Sequence, residues 1–183
     1  SSRAAARAIA VAENGVIGRD GDLPWKNLAE DKAHLHRCIR GNVVLHGSKI
    51  YEELGGNVLP DCATVILSRD KRKRFDGASG TARSLNGALR KAADLASPRD
   101  ASVWILGGSE IYREALPRAD VLWYTAVRSR PRGDVFFPHW WRTYFSVETG
   151  ALVAEFDAVP GEDRPGYAIY KFERRCSRLA PLP

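Results

Sequence analysis

The stretch "VWILGGSEIYREAL", residues 103–116, runs an apolar, β-branched segment into two glycines and then directly into a helical pattern. A strand that is apolar along its whole length has no side for water, so it belongs in a sheet covered on both faces. Parallel strands need a crossover, usually a helix, and the glycine pair marks where one begins. The same strand–glycine–helix punctuation recurs in "HGSKIYEEL", residues 46–54. Further apolar runs fall at 7–12, 42–47, 63–68, 102–107 and 121–127, and helical patterns at 28–39, 48–54, 85–96 and 109–116. Near the C-terminus, 144–148 and 167–173 bracket a Pro/Gly-containing connection and read as a late antiparallel pair. The pattern predicts one α/β domain spanning 1–183, with ligands beyond the carboxyl ends of the strands.

Composition narrows the classes. The chain is 44% hydrophobic and 27% charged, as in an ordinary globular domain. No apolar run approaches the roughly 18–20 residues that span a bilayer, and the Arg/Ala-rich start lacks the apolar core of a secretory signal. A cytoplasmic protein is expected, or one of an organelle matrix if that start is the stub of a transit peptide. Residue 1 is not Met, which reads as processing or trimming. Cys38, Cys62 and Cys176 are odd in number and show no C-x-x-C spacing, which favours free thiols. His34, His36, His46 and His139 form no ligand spacing, so no metal is expected. A net charge of +6 calls for an anionic partner, a phosphorylated small molecule or nucleic acid. The densest basic run, "RDKRKRF" at 69–75, also reads as a solvated turn.

The chemistry concentrates in "IGRDGDLPWKNLAED", residues 17–31. Asn27 with Glu30 three residues on makes a capping-box arrangement that opens a helix. From there Leu28, Asp31 and Leu35 share one face, which puts an acid on the apolar stripe. Two readings stand: Asp31 complements the helix N-terminus, or it is a half-buried carboxylate whose raised pKa suits it to handle protons. Gly107–Gly108 lets backbone approach a ligand closely; without a G-x-G-x-x-G fingerprint, an ordinary dinucleotide domain is disfavoured. Lys49 after Gly47, and Ser68–Arg69 after the strand at 63–68, add cations and a hydroxyl at strand ends, as a large phosphorylated cofactor needs.

Taken in order, "VIGRDGDLPW", Asp31 six residues after Trp25, "HGSKIYEEL", "LP" before "ATVILSRD", "ILGGSEIY", "YTAV" and "GDVFFP" resemble the dihydrofolate reductase family over about residues 6–175. The resemblance implies a mostly parallel eight-stranded sheet, about four flanking helices and a C-terminal antiparallel strand pair. It implies reduction of dihydrofolate by NADPH, with Asp31 as the single ionisable residue of the pterin pocket, promoting protonation of N5. Thr125 matches the threonine that hydrogen-bonds this acid, Trp25 the tryptophan near its water, and Tyr112 the tyrosine near the nicotinamide. The carbonyls of Ala8 and Leu106 would contact the pterin, while Leu28, Lys32, Leu35, Leu54 and Leu59 would wall the ring and its tail. For NADPH the resemblance points to Ala10 and Ile17, to a mobile loop at 16–25 with Gly18, Asp20, Gly21 and Leu23, and to Gly47, Lys49 and Ile50. It adds Ser68, Arg69 and Arg83 for the adenosine and its 2′-phosphate. Gly107, Gly108, Ser109, Glu110 and Ile111 would take the pyrophosphate, with Gly107–Gly108 cis as is typical of the family.

Two departures matter. The family has an arginine three residues after the Leu of "LP" to clamp the glutamate α-carboxylate, and Cys62 stands there. Lys32 is the substitute cation that the sequence offers. The family's Gly-Arg/Lys-x-Thr reads Gly47-Ser48-Lys49-Ile50, short of one basic side chain and one hydroxyl. These leave two alternatives beside a monomeric folate reductase: a reductase of a tail-less pterin or riboflavin-pathway pyrimidine, and a non-catalytic descendant that docks nucleic acid through "RDKRKRF" and "RRCSR". With only Phe75 among the first run's charges, a single-strand platform is poorly provided, so nucleic acid is the weaker expectation.

Overall fold

A computed structural model describes residues 5–26, 28–148 and 150–175. The elements in chain order are β1 (Ala5–Ala12), β2 (Val16–Gly18), α1 (Ala29–Ile39), β3 (Val43–Gly47), α2 (Ser48–Glu53), β4 (Ala63–Leu67) and β5 (Gly80–Ala82). There follow α3 (Leu85–Ala96), β6 (Val103–Gly107), α4 (Ser109–Ala115), β7 (Val121–Val127), β8 (Val135–Phe136), β9 (Ala151–Phe156) and β10 (Tyr167–Glu173). Eight strands form one sheet in the order β5-β4-β3-β6-β1-β7-β10-β9. All neighbours from β5 to β7 are parallel, and β10 runs antiparallel to both β7 and β9. The apolar runs that showed no alternation are these inner strands.

Their side chains divide between two layers. Val43, Leu45, Val65, Val103 and Ile105 point to α3 and α4. There Ala88, Ala92 and Ala96 form a smooth stripe that lets α3 lie close. Ser84 caps α3 by accepting from the Gly87 N–H at 3.2 Å. The opposite face presents Ala6, Val44 and Trp104 to the C-terminal end of α1, where Ile39 is buried. An aromatic cluster of Phe137, Trp141, Phe145 and Phe172 closes the β7–β10 side. Arg7, in an otherwise apolar strand, is fully buried and donates to the carbonyl of Tyr112 in α4 at 2.7 Å. Burial pulls its pKa down to about 9.

Two expectations need correction. The antiparallel partner of β10 is β9, not 144–148. Tyr144 closes a 3-10 turn over His139–Thr143, and Phe145 makes only an isolated bridge to Arg174 while its ring fills the core. The segment was attractive as a strand because it is aromatic; the true edge strand leaves Leu152 and Val153 exposed, so burial had stamped no pattern on it. The Glu30 half of the capping box is also used differently. Asn27 lies outside the described residues, α1 is entered through Leu28 with no side-chain cap, and the Glu30 carboxylate is engaged elsewhere.

That engagement fastens the start of α1. Arg164 donates from Nη1 to both Glu30 oxygens, at 2.8 and 2.9 Å, and the Tyr167 hydroxyl donates at 2.6 Å. Together, Tyr167 first and Arg164 second, they draw the Glu30 pKa down to about 2. A depressed carboxyl stabilises the fold above its ordinary pKa and loses that contribution as pH falls through the folded value. Glu30→Gln should therefore lower Tm by about 2–4 °C at pH 7. The gap from the parent should shrink between about pH 4.5 and pH 2 in thermal melts across that range.

Candidate functional site

The strand order sets three carboxyl ends side by side, those of β4, β3 and β6, and these end in Leu67, Gly47 and Gly107. Ser68, Gly47 and the Gly107–Gly108 pair therefore stand in a row along one sheet edge. Gly107–Gly108 is a cis peptide with Gly107 at φ +104°. A Cβ on Gly107 would lie 2.5 Å from the Tyr112 ring, and one on Gly47 would lie 3.4 Å from Ile111 and 3.7 Å from the Gly108 nitrogen. Gly108 itself faces open space. The glycines are thus spent on bringing two backbones together beside a free surface, which is the shape a phosphorylated cofactor requires.

A lid flanks this row. Arg19 and Asp22 exchange backbone hydrogen bonds at 2.9 Å around Asp20 and Gly21, both at positive φ, which makes the Asp-Gly step a tight hairpin turn. The turn is held from outside by the "GDVFFP" segment. Asp134 accepts from the Asp20 N–H at 3.1 Å and donates its own N–H to the Gly18 carbonyl at 3.1 Å, and β2 pairs with β8. Gly133 must be glycine here, because a Cβ would sit 2.3 Å from Val16 and 2.5 Å from the Gly18 oxygen. Leu23 on the lid remains 53% exposed, an apolar side chain with an uncovered surface. Lys49 reaches across from α2, its Nζ 3.3 Å from where a Gly21 Cβ would lie. Between lid and α4 opens a cleft of about 330 Å³, lined by Ile17, Ser109, Tyr112, Arg113 and Asp134 through Phe136.

The other side of the site is α1. Asp31 stands half-buried on the inward face, and Thr125 of β7 donates its hydroxyl to it at 2.5 Å. Burial raises the Asp31 pKa; the Thr125 hydrogen bond and His34 work against that rise. Thr125 pairs in register with Ala10 of β1, so the acid lies over the middle of the sheet. Trp25 and Leu28 are buried together beneath it. Tyr112 directs its hydroxyl at the carbonyls of Ala8 and Leu106, 2.6 and 2.7 Å away. One hydroxyl proton satisfies one carbonyl at a time, so the pair keeps acceptor capacity for a ligand N–H. Burial raises the Tyr112 pKa, which keeps that proton in place. Leu35, Leu59 and Leu106 pack partly buried around the same face, and Leu54 is half-buried at the end of α2.

The other residues singled out in the sequence are placed as follows. Lys32 is exposed on α1, away from the inward face. Arg69 is bound to Glu110 at 2.5 Å, both side chains largely in water, so this cation and this acid answer one another. Arg83, Ser109 and Ile50 flank the row of strand ends, Arg83 and Ser109 exposed and Ile50 half-buried. Asp31 is also not alone as an ionisable group: His34, one turn on, shares its helix face and interacts with it electrostatically. A second cleft, about 290 Å³, is lined by His36, Arg37, Arg40, Pro60 and Asp61. The i, i+3, i+4 spacing from Asp31 could have revealed His34; the second cleft depended on knowing that the turn before β4 approaches α1. Cys62 is turned inward there, its thiol donating to the Leu59 carbonyl at 3.4 Å.

Comparison with known proteins agrees with this arrangement. Residues 6–156 match the family described as dihydrofolate reductase. The chain is 34% identical to dihydrofolate reductase HdrB of Haloferax volcanii, with 91% of this chain and 81% of that one covered. It is 33% identical to dihydrofolate reductase type 3 of Salmonella typhimurium, covering 87% and 90% respectively. Among solved structures, the dihydrofolate reductase of Enterococcus faecalis complexed with NADP(H) and RAB-propyl superposes with a TM-score of 0.70 at 25% identity, covering 94% of this chain and 96% of that one. The chain therefore belongs to the dihydrofolate reductase family.

Proposed function

We infer that the chain reduces 7,8-dihydrofolate to 5,6,7,8-tetrahydrofolate with NADPH. The observation that carries this is the half-buried Asp31, raised in pKa and held by Thr125 opposite two backbone carbonyls that converge on Tyr112. A flat heterocycle with an amidine edge offers the donors that this acid and those carbonyls accept. NADPH supplies the hydride to pterin C6 when bound. Gly47 and the Gly107–Gly108 pair would hold its phosphates, with Lys49 and Arg83 as cations, and Ile17, Leu23 and Tyr112 would line its ring. Asp31 does the proton work. Desolvation raises its pKa and so favours the neutral form more than in an exposed carboxylate, which suits the group to promote protonation of N5. Thr125 fixes which carboxyl oxygen faces the ring, and Leu23 closes over the reacting atoms to exclude water.

The glutamate tail is met by α1. His36, Arg37 and Arg40 gather beside Pro60 and Asp61, and Arg40 pairs with Asp61 at 3.4 Å, which leaves Arg37 and His36 for a carboxylate. This set stands in for the missing arginine at Cys62 and serves better than Lys32. The nucleic-acid reading loses support in the same way. Of the run 69–75, Arg69, Arg72 and Lys73 each pair with an acid, Glu110, Asp70 and Glu52 respectively. Arg174 donates to the carbonyls of Ala119 and Leu116.

Three measurements test this. Asp31→Asn should cut kcat for dihydrofolate by at least about a hundredfold while NADPH binding, read by fluorescence, changes less than about twofold; normal turnover would remove Asp31 from its role. Arg37→Ala should raise KM for dihydrofolate by roughly three- to tenfold and leave a tail-less dihydropterin unaffected. Asp134→Ala should loosen the lid and lower kcat by about three- to tenfold with Tm nearly unchanged, separating closure from folding.

A further inference from the structure

His34 lies one turn beyond Asp31 on the same inward face of α1, and its ring packs on Trp123 with centroids 5.1 Å apart. Trp123 stands two residues before Thr125 on the same side of β7, so Asp31–Thr125 and His34–Trp123 are successive rungs of one helix–strand contact. Residues three apart on a helix face are neighbours, close enough for charge on one to be felt by the other. We propose that His34 acts through Asp31 as a positioning residue, sharing its proton, so that the site takes up that proton as an acid–imidazole pair and not on a lone carboxyl.

The surroundings fit a group that titrates. On its own helix His34 faces Asp31, Arg37 and Cys38, with the Cys38 sulfur 3.5 Å from its Nε2. From β10, Lys171 sets its ammonium 6.0 Å over the same Trp123 ring. The strands beneath, β1, β3 and β6, contribute Ala6, Ala8, Val44, Trp104 and Leu106, none of them charged, and the turn before β4 contributes Leu59 and Cys62. Burial pushes the thiols of Cys38 and Cys62 up, so both stay neutral at physiological pH. Burial and Arg37 lower the His34 pKa while Asp31 raises it; burial raises the Asp31 pKa while His34 lowers it. The opposed shifts bring two groups of ordinarily distant pKa toward the same pH range. A proton entering the site then divides between two tautomers, neutral Asp31 with neutral imidazole and carboxylate with imidazolium. Only the first carries the proton on the group that serves N5.

This proposal rests on the reductase reading for its kinetic part but not for its titration part, so the two can fail separately. His34→Phe keeps an aromatic ring on Trp123 and removes the second proton site. The parent should show a drawn-out acid limb in kcat/KM, and His34→Phe a single-proton limb with about two- to threefold more activity between pH 5 and 6.5, relative to each protein's own acid plateau. Independently of turnover, the His34 ring followed by NMR in the free parent protein should show two inflections, and Asp31→Asn should reduce them to one. A single inflection in the parent, or a His34 titration unmoved by Asp31→Asn, overturns the proposal even if His34→Phe proves unstable. An unaltered limb in a folded His34→Phe protein overturns it as well. Absence of dihydrofolate turnover with NMR coupling intact would count against the substrate reading and leave the pair standing.

Discussion

The hydrogen bond from Thr125 to Asp31 joins α1 to the central sheet through a polar contact where an apolar one would be expected. A helix over a sheet normally buries a continuous apolar stripe, and α1 cannot do so if a flat ligand is to slide beneath it. Only Ile39 is buried within α1, at its far end. The near end is fixed by Leu28 and by the Glu30–Arg164–Tyr167 network, which ties the helix to β10 and to the loop before it. Anchored at both ends, the helix turns Asp31, His34 and Leu35, all half-buried, toward the sheet. The acid's raised pKa follows from that geometry: the position is shielded enough to desolvate a carboxyl, and one hydroxyl is too little to restore what water would have given.

The glycine row works by the same logic of withheld side chains. Gly107 leaves room for the Tyr112 ring, Gly133 lets its backbone approach Val16 and Gly18, and Gly47 stands beside the Gly108 nitrogen. The lid is then a hairpin turn whose outer side is latched by Asp134 and whose inner side offers Leu23. In the proposed function the strand ends serve as the cofactor cradle, and the short turn, with Leu23 uncovered, serves as the part that closes. That division matches how stability is distributed in folded chains, with mobile elements drawn from the weakly held end.

What the sequence revealed follows from where periodicity comes from. Inner parallel strands are apolar because both their faces are covered, so β1, β3, β4, β6 and β7 stood out, as did α3 with its alanine stripe. Edge strands answer to no such constraint, and β9, with Leu152 and Val153 in water, was displaced in the reading by the aromatic segment at 144–148. Long-range polar contacts leave no periodic trace either. Glu30 meets Arg164 and Tyr167 across 134 and 137 residues, and a capping box was the only partner that local spacing could suggest for it. Asp31 was legible because it broke a pattern, an acid where the stripe should be apolar. His34 broke the same stripe three residues later, but a histidine is a smaller violation than a carboxylate, and the family resemblance had already assigned the pocket a single titrating group.

The charge of the molecule, +6, is similarly less available than a count suggests. Arg7 is sunk beneath α4, Arg174 serves carbonyls at the end of that helix, and Arg69, Arg72, Lys73 and Arg164 each answer an acid. Arg113 lines the cleft beside the lid and His36 with Arg37 the cleft at α1, while Lys49 stands against the lid turn and Arg83 is exposed beyond the strand ends. In the proposed function one group, Lys49 and Arg83, serves the phosphates of the cofactor and the other, His36 and Arg37, the carboxylates of the substrate tail. A cation placed midway would have stabilised the Asp31 carboxylate and abolished its use as an acid. The site therefore needs its positive charge at the two ends and excluded from the centre, and His34, neutral when desolvated and cationic only as pH falls, is the one basic group on the inward face of α1 whose charge can enter that centre conditionally.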